Sequence, residues 1–118
     1  MTNEPTVFSK IINRELPADI LFENDQVIVI TNIHPAAPIH WLAISKEPFT
    51  SLHELLQDEA NKDILWQLCQ ALSTLATEKG LDTSGYRLVS NIGKDGGQSV
   101  PHLHIHLLGG APLAGHGL

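Results

Sequence analysis

A single cysteine, Cys69, leaves this chain without any internal disulfide, and a reducing compartment is the expected setting. No apolar run approaches the ~18 residues that suggest a membrane-spanning helix, so no membrane partner is expected. The first ten residues are polar, with Glu4 and Pro5 among them, and lack the basic-then-apolar order of a secretory signal; the cytoplasm is the expected location. Basic residues are scarce as well. Seven Lys and Arg stand against thirteen Asp and Glu, for a formal net charge of -6, and the basic residues form no cluster. A protein that binds polynucleotides draws most of its affinity from neutralised phosphates and carries a basic stripe, so no polynucleotide partner is expected. An anion bound here has to be held locally, by backbone N–H groups and a few side chains. Repeats, low-complexity tracts and linker-like shifts of composition are absent too, and 118 residues suffice for one domain (1–118, with 111–118 as a tail) around one core.

Hydrophobic periodicity sets out the elements. Phe8, Ile11 and Ile12 at i, i+3, i+4 predict a short helix that ends before Leu16-Pro17. Ile20–Glu23 and Gln26–Thr31, separated by Asn24-Asp25, read as a hairpin. Pro35 and Pro38 impose a loop before a third strand, Ile39–Ser45, with Trp41 and Ala43 on one face and His40, Leu42 and Ile44 on the other. Ser51 and Glu54 have capping-box spacing. A long helix is predicted from about Asp58 to Lys79, its stripe formed by Ile64, Leu65, Leu68, Cys69, Leu72, Leu75 and Ala76 and its stop by Gly80. Trp66 beside that stripe reads as a packing residue, Trp41 as core or dimer interface and His53 as solvated, while His116 falls in the tail. Tyr86–Asn91 and Val100–Leu108 complete five strands. Together these predict an α+β fold: an antiparallel five-stranded sheet with one long helix and a short N-terminal helix.

Three of the seven histidines stand on alternate positions, His102, His104 and His106. On a strand such residues share one face, roughly 6.6 Å apart, while Leu103, Ile105 and Leu107 face the core. Three imidazoles in a row admit three readings: an ordinary solvent face, a zinc site completed by His40 or a carboxylate, and nucleophilic chemistry at phosphorus. Folding asks for no imidazole on a solvent face. Three alternate positions span too far to reach one zinc ion easily, and no carboxylate or cysteine is nearby in sequence. Imidazole attacks phosphorus at neutral pH when one ring nitrogen is free and the other is held by an acceptor. Just upstream lies Asn91-Ile92-Gly93-Lys94-Asp95-Gly96-Gly97-Gln98-Ser99, whose glycines permit a tight loop able to offer N–H groups to an anion, with Gln98 and Ser99 as neutral donors. A zinc site has no use for anion donors, so the pairing favours a phosphate site with no metal and no cofactor. Which imidazole attacks stays open on this ground.

The run from Asn91 through Gly96, Gln98, Val100, His102, His104 and His106 to Leu107-Leu108-Gly109 resembles the signature of the histidine triad (HIT) family. Phe8-Ser9-Lys10-Ile11-Ile12, Leu16-Pro17-Ala18 and Ala37-Pro38-Ile39-His40-Trp41-Leu42 extend the resemblance over nearly the whole chain, and Gly109-Gly110 is similar to the ending of its Hint branch. The resemblance implies a homodimer with one continuous sheet and hydrolysis of purine nucleoside 5′-phosphoramidates. It implies His104 as nucleophile, forming a nucleotidyl-histidine, with His106 at the α-phosphate and leaving group, and His102 and His40 orienting the site. Asn91, Gly97 and Ser99 would bind phosphate. Phe8, Ile11, Ile30, Ile33 and Leu42 would line the purine pocket, and Asn32 would meet the ribose. Dinucleoside polyphosphate hydrolysis, nucleotidyl transfer and nucleotide binding without catalysis are the alternatives.

Several positions depart from the family pattern. Asn32 stands where an aspartate is usual and lacks its charge-assisted acceptor. Ser9 replaces a frequent cysteine, and His34 a small polar residue. Pro101, with no N–H to give, stands where an aromatic is common, and its strand position is expected to be unpaired or at the strand's start. The tail lacks a tryptophan found in some relatives.

Overall fold

The computed structural model describes residues 5–113; Glu4, His116 and the tail from residue 114 onward lie outside the described residues. Helix α1, Val7–Ile12, opens with a reciprocal cap: Thr6 accepts from the Ser9 N–H while the Thr6 N–H donates to the Ser9 hydroxyl. It buries Phe8 and Ile11. Strands β1 (Ile20–Glu23) and β2 (Val27–Thr31) form the expected hairpin, its turn closed by Asn24 Oδ1, which accepts from the N–H groups of Gln26 and Val27. Strand β3 is Ile39–Ser45, as predicted.

The long helix starts later than expected. Asp58 caps a single 3-10 turn, Glu59–Asn61, and the α-helix proper, α3, covers Lys62–Glu78 after the short α2, Leu52–Leu55. Ser51 caps α2, but the Glu54 carboxylate reaches the Thr50 N–H at 2.6 Å instead of closing the box on Ser51. Gly80 takes the left-handed conformation that ends α3 (φ 75°), and a short helix unforeseen in the sequence, α4 (Leu81–Ser84), follows.

Both last strands are shorter than predicted: β4 is Arg87–Val89 and β5 is His104–Gly109. Pro101 explains the late start of β5. Without an N–H it cannot join a ladder, and the His102 N–H turns back to the Val100 carbonyl at 2.8 Å. Leu103 makes backbone bonds to Phe49 and Ser45 ahead of the strand. His102 therefore precedes the strand that carries His104 and His106.

The strands form one antiparallel sheet in the order β1-β2-β3-β5-β4. Both of its faces are covered at the centre. Helix α3 packs Leu68, Leu72 and Ala76 against Val27, Val29, Trp41, Ala43, Ile105 and Leu107. On the other face α1 packs Phe8 and Ile11 against Ile28, Ile30, Leu42 and Ile44. Trp41 is thus core, and Cys69 is half-buried against that core. Trp66 is not a packing residue: at 63% exposure it faces outward from α3. Register places Leu42 opposite His106 and Ile44 opposite His104, which sets both imidazoles on the α1 side of the sheet.

Candidate active site

A cleft of about 470 Å³ opens between α1, the end of β2 and the start of β5. Its apolar wall contains all five residues expected to line a base pocket: Phe8, Ile11, Ile30, Ile33 and Leu42. Ile33 is 83% exposed, a large aliphatic side chain held open at the rim. His104, His106, Ser99 and Asn32 also face the cleft, whereas His40, His102, Asn91, Gly97 and Gln98 are not part of its wall.

The hydrogen bonds around the imidazoles set their tautomers. His104 Nδ1 lies 2.7 Å from the His102 carbonyl, which can only accept, so Nδ1 carries the proton and Nε2 keeps its lone pair. The edge of the Phe8 ring packs on the same imidazole, with centroids 4.8 Å apart. His40 Nδ1 accepts from the Ala36 N–H at 3.0 Å, so its proton is on Nε2, which donates to His106 Nδ1 at 2.9 Å. His106 consequently carries its proton on Nε2. One imidazole offers a lone pair and its neighbour on the same strand offers an N–H, their rings 5.0 Å apart.

His102 does something else. Its ring is buried at 2% exposure, with Nε2 donating to the Ser45 carbonyl at 2.6 Å and Nδ1 facing the Thr6 hydroxyl at 3.4 Å. It ties α1 to β3, and its backbone carbonyl fixes His104. These partners consume every imidazole lone pair of the group except that of His104 Nε2, which disfavours the zinc arrangement weighed from the sequence; among the described residues no three His, Cys, Asp or Glu side chains are placed to hold a metal.

The glycine-rich loop also works differently from the expected anion nest. The N–H groups of Gly96, Gly97 and Gln98 all bond back to carbonyls of Gly93 and Lys94. Asn91 Nδ2 donates to the Gly96 carbonyl at 2.8 Å. Gln98 staples the loop: its amide donates to the carbonyls of Thr50 and Val100 while its Oε1 accepts from the Gly93 N–H. A Cβ at Gly96 would lie 2.2 Å from the Ile92 carbonyl oxygen, and Gly97 sits at φ 81°, so this winding requires glycine at both. Among the described residues no acceptor takes the Ser99 N–H or hydroxyl, which leaves Ser99 as the donor that the loop presents to the cleft.

Sequence reasoning missed the Ala36 N–H and the Ser45 and His102 carbonyls, because backbone groups leave no trace in residue identity. Thr6 could have been found from its capping spacing with Ser9. His34, noted in the sequence only as a departure from the family pattern, forms part of the cleft wall.

Burial holds all four imidazoles below their ordinary pKa of 6.5; the neighbouring His104 and His40 add to it at His106, which is pushed down to about 4. Each is neutral at pH 7. A folded-state pKa below the unfolded one means that the unfolded chain binds more protons, so stability is full above pH 6.5 and falls as the pH drops towards 4. Glu23, whose pKa is lowered by hydrogen bonds from Lys46 and then Arg14, acts only below its ordinary value of 4.5. Urea midpoints are therefore expected to fall between pH 6.5 and 4.5, with a shallower decline in His106→Asn. A midpoint flat across that window would contradict the burial of neutral imidazoles.

Residues 5–114 match the family described as scavenger mRNA decapping enzyme C-term binding. An uncharacterized HIT-like protein of Synechococcus elongatus is 46% identical over 112 residues, 95% of this chain and 96% of the relative. The chain belongs to the histidine triad family. The purine nucleoside phosphoramidase of Escherichia coli is 38% identical over 110 residues, 93% of this chain and 91% of that protein. Among solved structures, a HIT family hydrolase from Clostridium thermocellum superimposes with a TM-score of 0.89 at 45% identity, covering 96% of both chains. No helix among the described residues is long and apolar enough to cross a membrane.

Proposed function

We propose that this HIT protein hydrolyses purine nucleoside 5′-phosphoramidates through a nucleotidyl intermediate on His104. The coarser reading, a hydrolase acting on a nucleotide, is supported by the HIT family hydrolase of the same fold and the phosphoramidase relative. The observation that carries the finer one is the His104 Nδ1–H bond to the His102 carbonyl, which aims a free Nε2 lone pair into a cleft whose other wall is apolar.

The base lies among Phe8, Ile11, Ile30, Ile33 and Leu42, and the α-phosphate rests against Ser99 and His106. His104 Nε2 attacks phosphorus, and the P–N bond breaks with its electron pair leaving on nitrogen. That nitrogen takes a proton from the His106–His40 pair, which is protonated on substrate binding because the phosphate charge restores the stabilisation that burial denies an imidazolium. Water then attacks phosphorus, the P–Nε2 bond returns its electrons to His104, and the proton released by water re-enters the pair. The products are a nucleoside monophosphate and a free amine. Gln98 and Asn91 shape the loop that presents Ser99, and His102 positions His104.

The proposed homodimer joins two sheets through β4, an edge strand of the described sheet. Adenosine 5′-phosphoramidate, diadenosine polyphosphate and AMP distinguish the readings: phosphoramidate is expected to be cleaved fastest. Faster cleavage of the polyphosphate, or tight AMP binding with no turnover of either substrate, would overturn it.

A further inference from the structure

Asn32 lies in the wall of the cleft, beside Ile33 and His34. Its Nδ2 is 3.4 Å from His40 Nε2, and that nitrogen is 2.9 Å from His106, so the amide is close to the phosphate end of the cleft, beside the apolar wall. The orientation of the amide is set by its neighbour: Oδ1 accepts the His34 backbone N–H at 2.9 Å, an N–H that can only donate. Asn32 thus turns its NH2 towards His40 and away from the His34 N–H. His40 Nε2 already carries a proton given to His106 and has no lone pair to offer, so the 3.4 Å approach is a meeting of two donors, and among the described residues no acceptor takes the Asn32 amide N–H.

A ribose hydroxyl can accept from this NH2, but it also brings a proton that needs an acceptor of its own. A diol brings two O–H donors, best met by a carboxylate, and the described wall of the cleft contains no Asp or Glu. It does contain His34, exposed in the same wall, whose imidazole donates a hydrogen bond in either protonation state. Donors without a facing acceptor, in a wall free of negative charge within a chain of net charge -6, are matched by a phosphate.

We infer that the sugar end of the cleft, at Asn32 and His34, receives a second phosphate carried on the ribose 2′ or 3′ oxygen of the nucleotide. The inference rests on the reading of the cleft as a nucleotide site, and it names as substrate class the ribose-phosphorylated nucleoside 5′-phosphoramidates.

Calorimetric binding of AMP, ADP, adenosine 2′,5′-bisphosphate and adenosine 3′,5′-bisphosphate tests it, with ADP matching the added charge at the other end. One of the two bisphosphates is expected to bind on the order of tenfold more tightly than AMP and ADP, as befits a hydrogen bond to a charged group. Which of the two binds identifies the oxygen. Asn32→Asp is expected to reverse the preference in favour of AMP, and His34→Ala to shrink it severalfold. AMP binding as tightly as both bisphosphates, or a preference unchanged in both variants, overturns the inference while leaving the phosphoramidase reading intact. Failure of all four nucleotides to bind overturns both.

Discussion

Replacing His104 with alanine is expected to lower turnover of a nucleoside phosphoramidate by about 10⁴-fold or more, the scale seen when a covalent nucleophile is deleted. The magnitude follows from what no neighbour can supply. His40, His102 and His106 each have their lone pair committed, to the Ala36 N–H, the Thr6 hydroxyl and His40 respectively, so none can take over the attack without breaking a buried contact. The binding surfaces should survive, because the base wall and Ser99 belong to other elements, and AMP affinity should change little. Since His104 is buried, a melting curve of the variant must accompany the assay. His104→Gly supplemented with imidazole gives a second reading, in which added imidazole fills the vacated space and partly restores turnover. Undiminished activity in a folded His104→Ala protein would remove the proposed mechanism.

His106→Ala is expected to cost about 10²- to 10⁴-fold, the usual contribution of a positioned proton donor. The loss should depend on the leaving group. A basic alkyl amine cannot depart without a proton, whereas a weakly basic aryl amine needs little help, so the deficit should shrink markedly for the aryl substrate. His40→Ala should show the same dependence more weakly, because His40 acts through its Nε2 donation to His106. A deficit equal for both amines would make His106 a binding group and not a proton donor.

Much of the architecture was legible because strong periodicity resists error. β3 has the predicted limits, and the α3 stripe buries Leu68, Leu72 and Ala76 as its spacing requires. The errors fall where one residue's backbone chemistry overrides the pattern. His102 alternates perfectly with His104 and His106, yet Pro101 delays the strand until His104 and sends the His102 ring into the interior. The glycine loop invited an anion nest, but Gln98 and Asn91 close it upon itself and leave Ser99 outside. The choice among the imidazoles could not be read from residue types at all. The proposed choice rests on two backbone groups, the His102 carbonyl and the Ala36 N–H, which set opposite tautomers at His104 and, through His40, at His106.

The central claim is that the nucleotide passes through a covalent bond to His104, and the stereochemical course at phosphorus tests it most directly. A phosphoramidate made chiral at the α-phosphorus with sulfur, cleaved in isotopically labelled water, records every in-line displacement as one inversion. Two displacements, by His104 and then by water, predict net retention of configuration. Net inversion would mean that water attacks the substrate directly, and would contradict the nucleotidyl-histidine account.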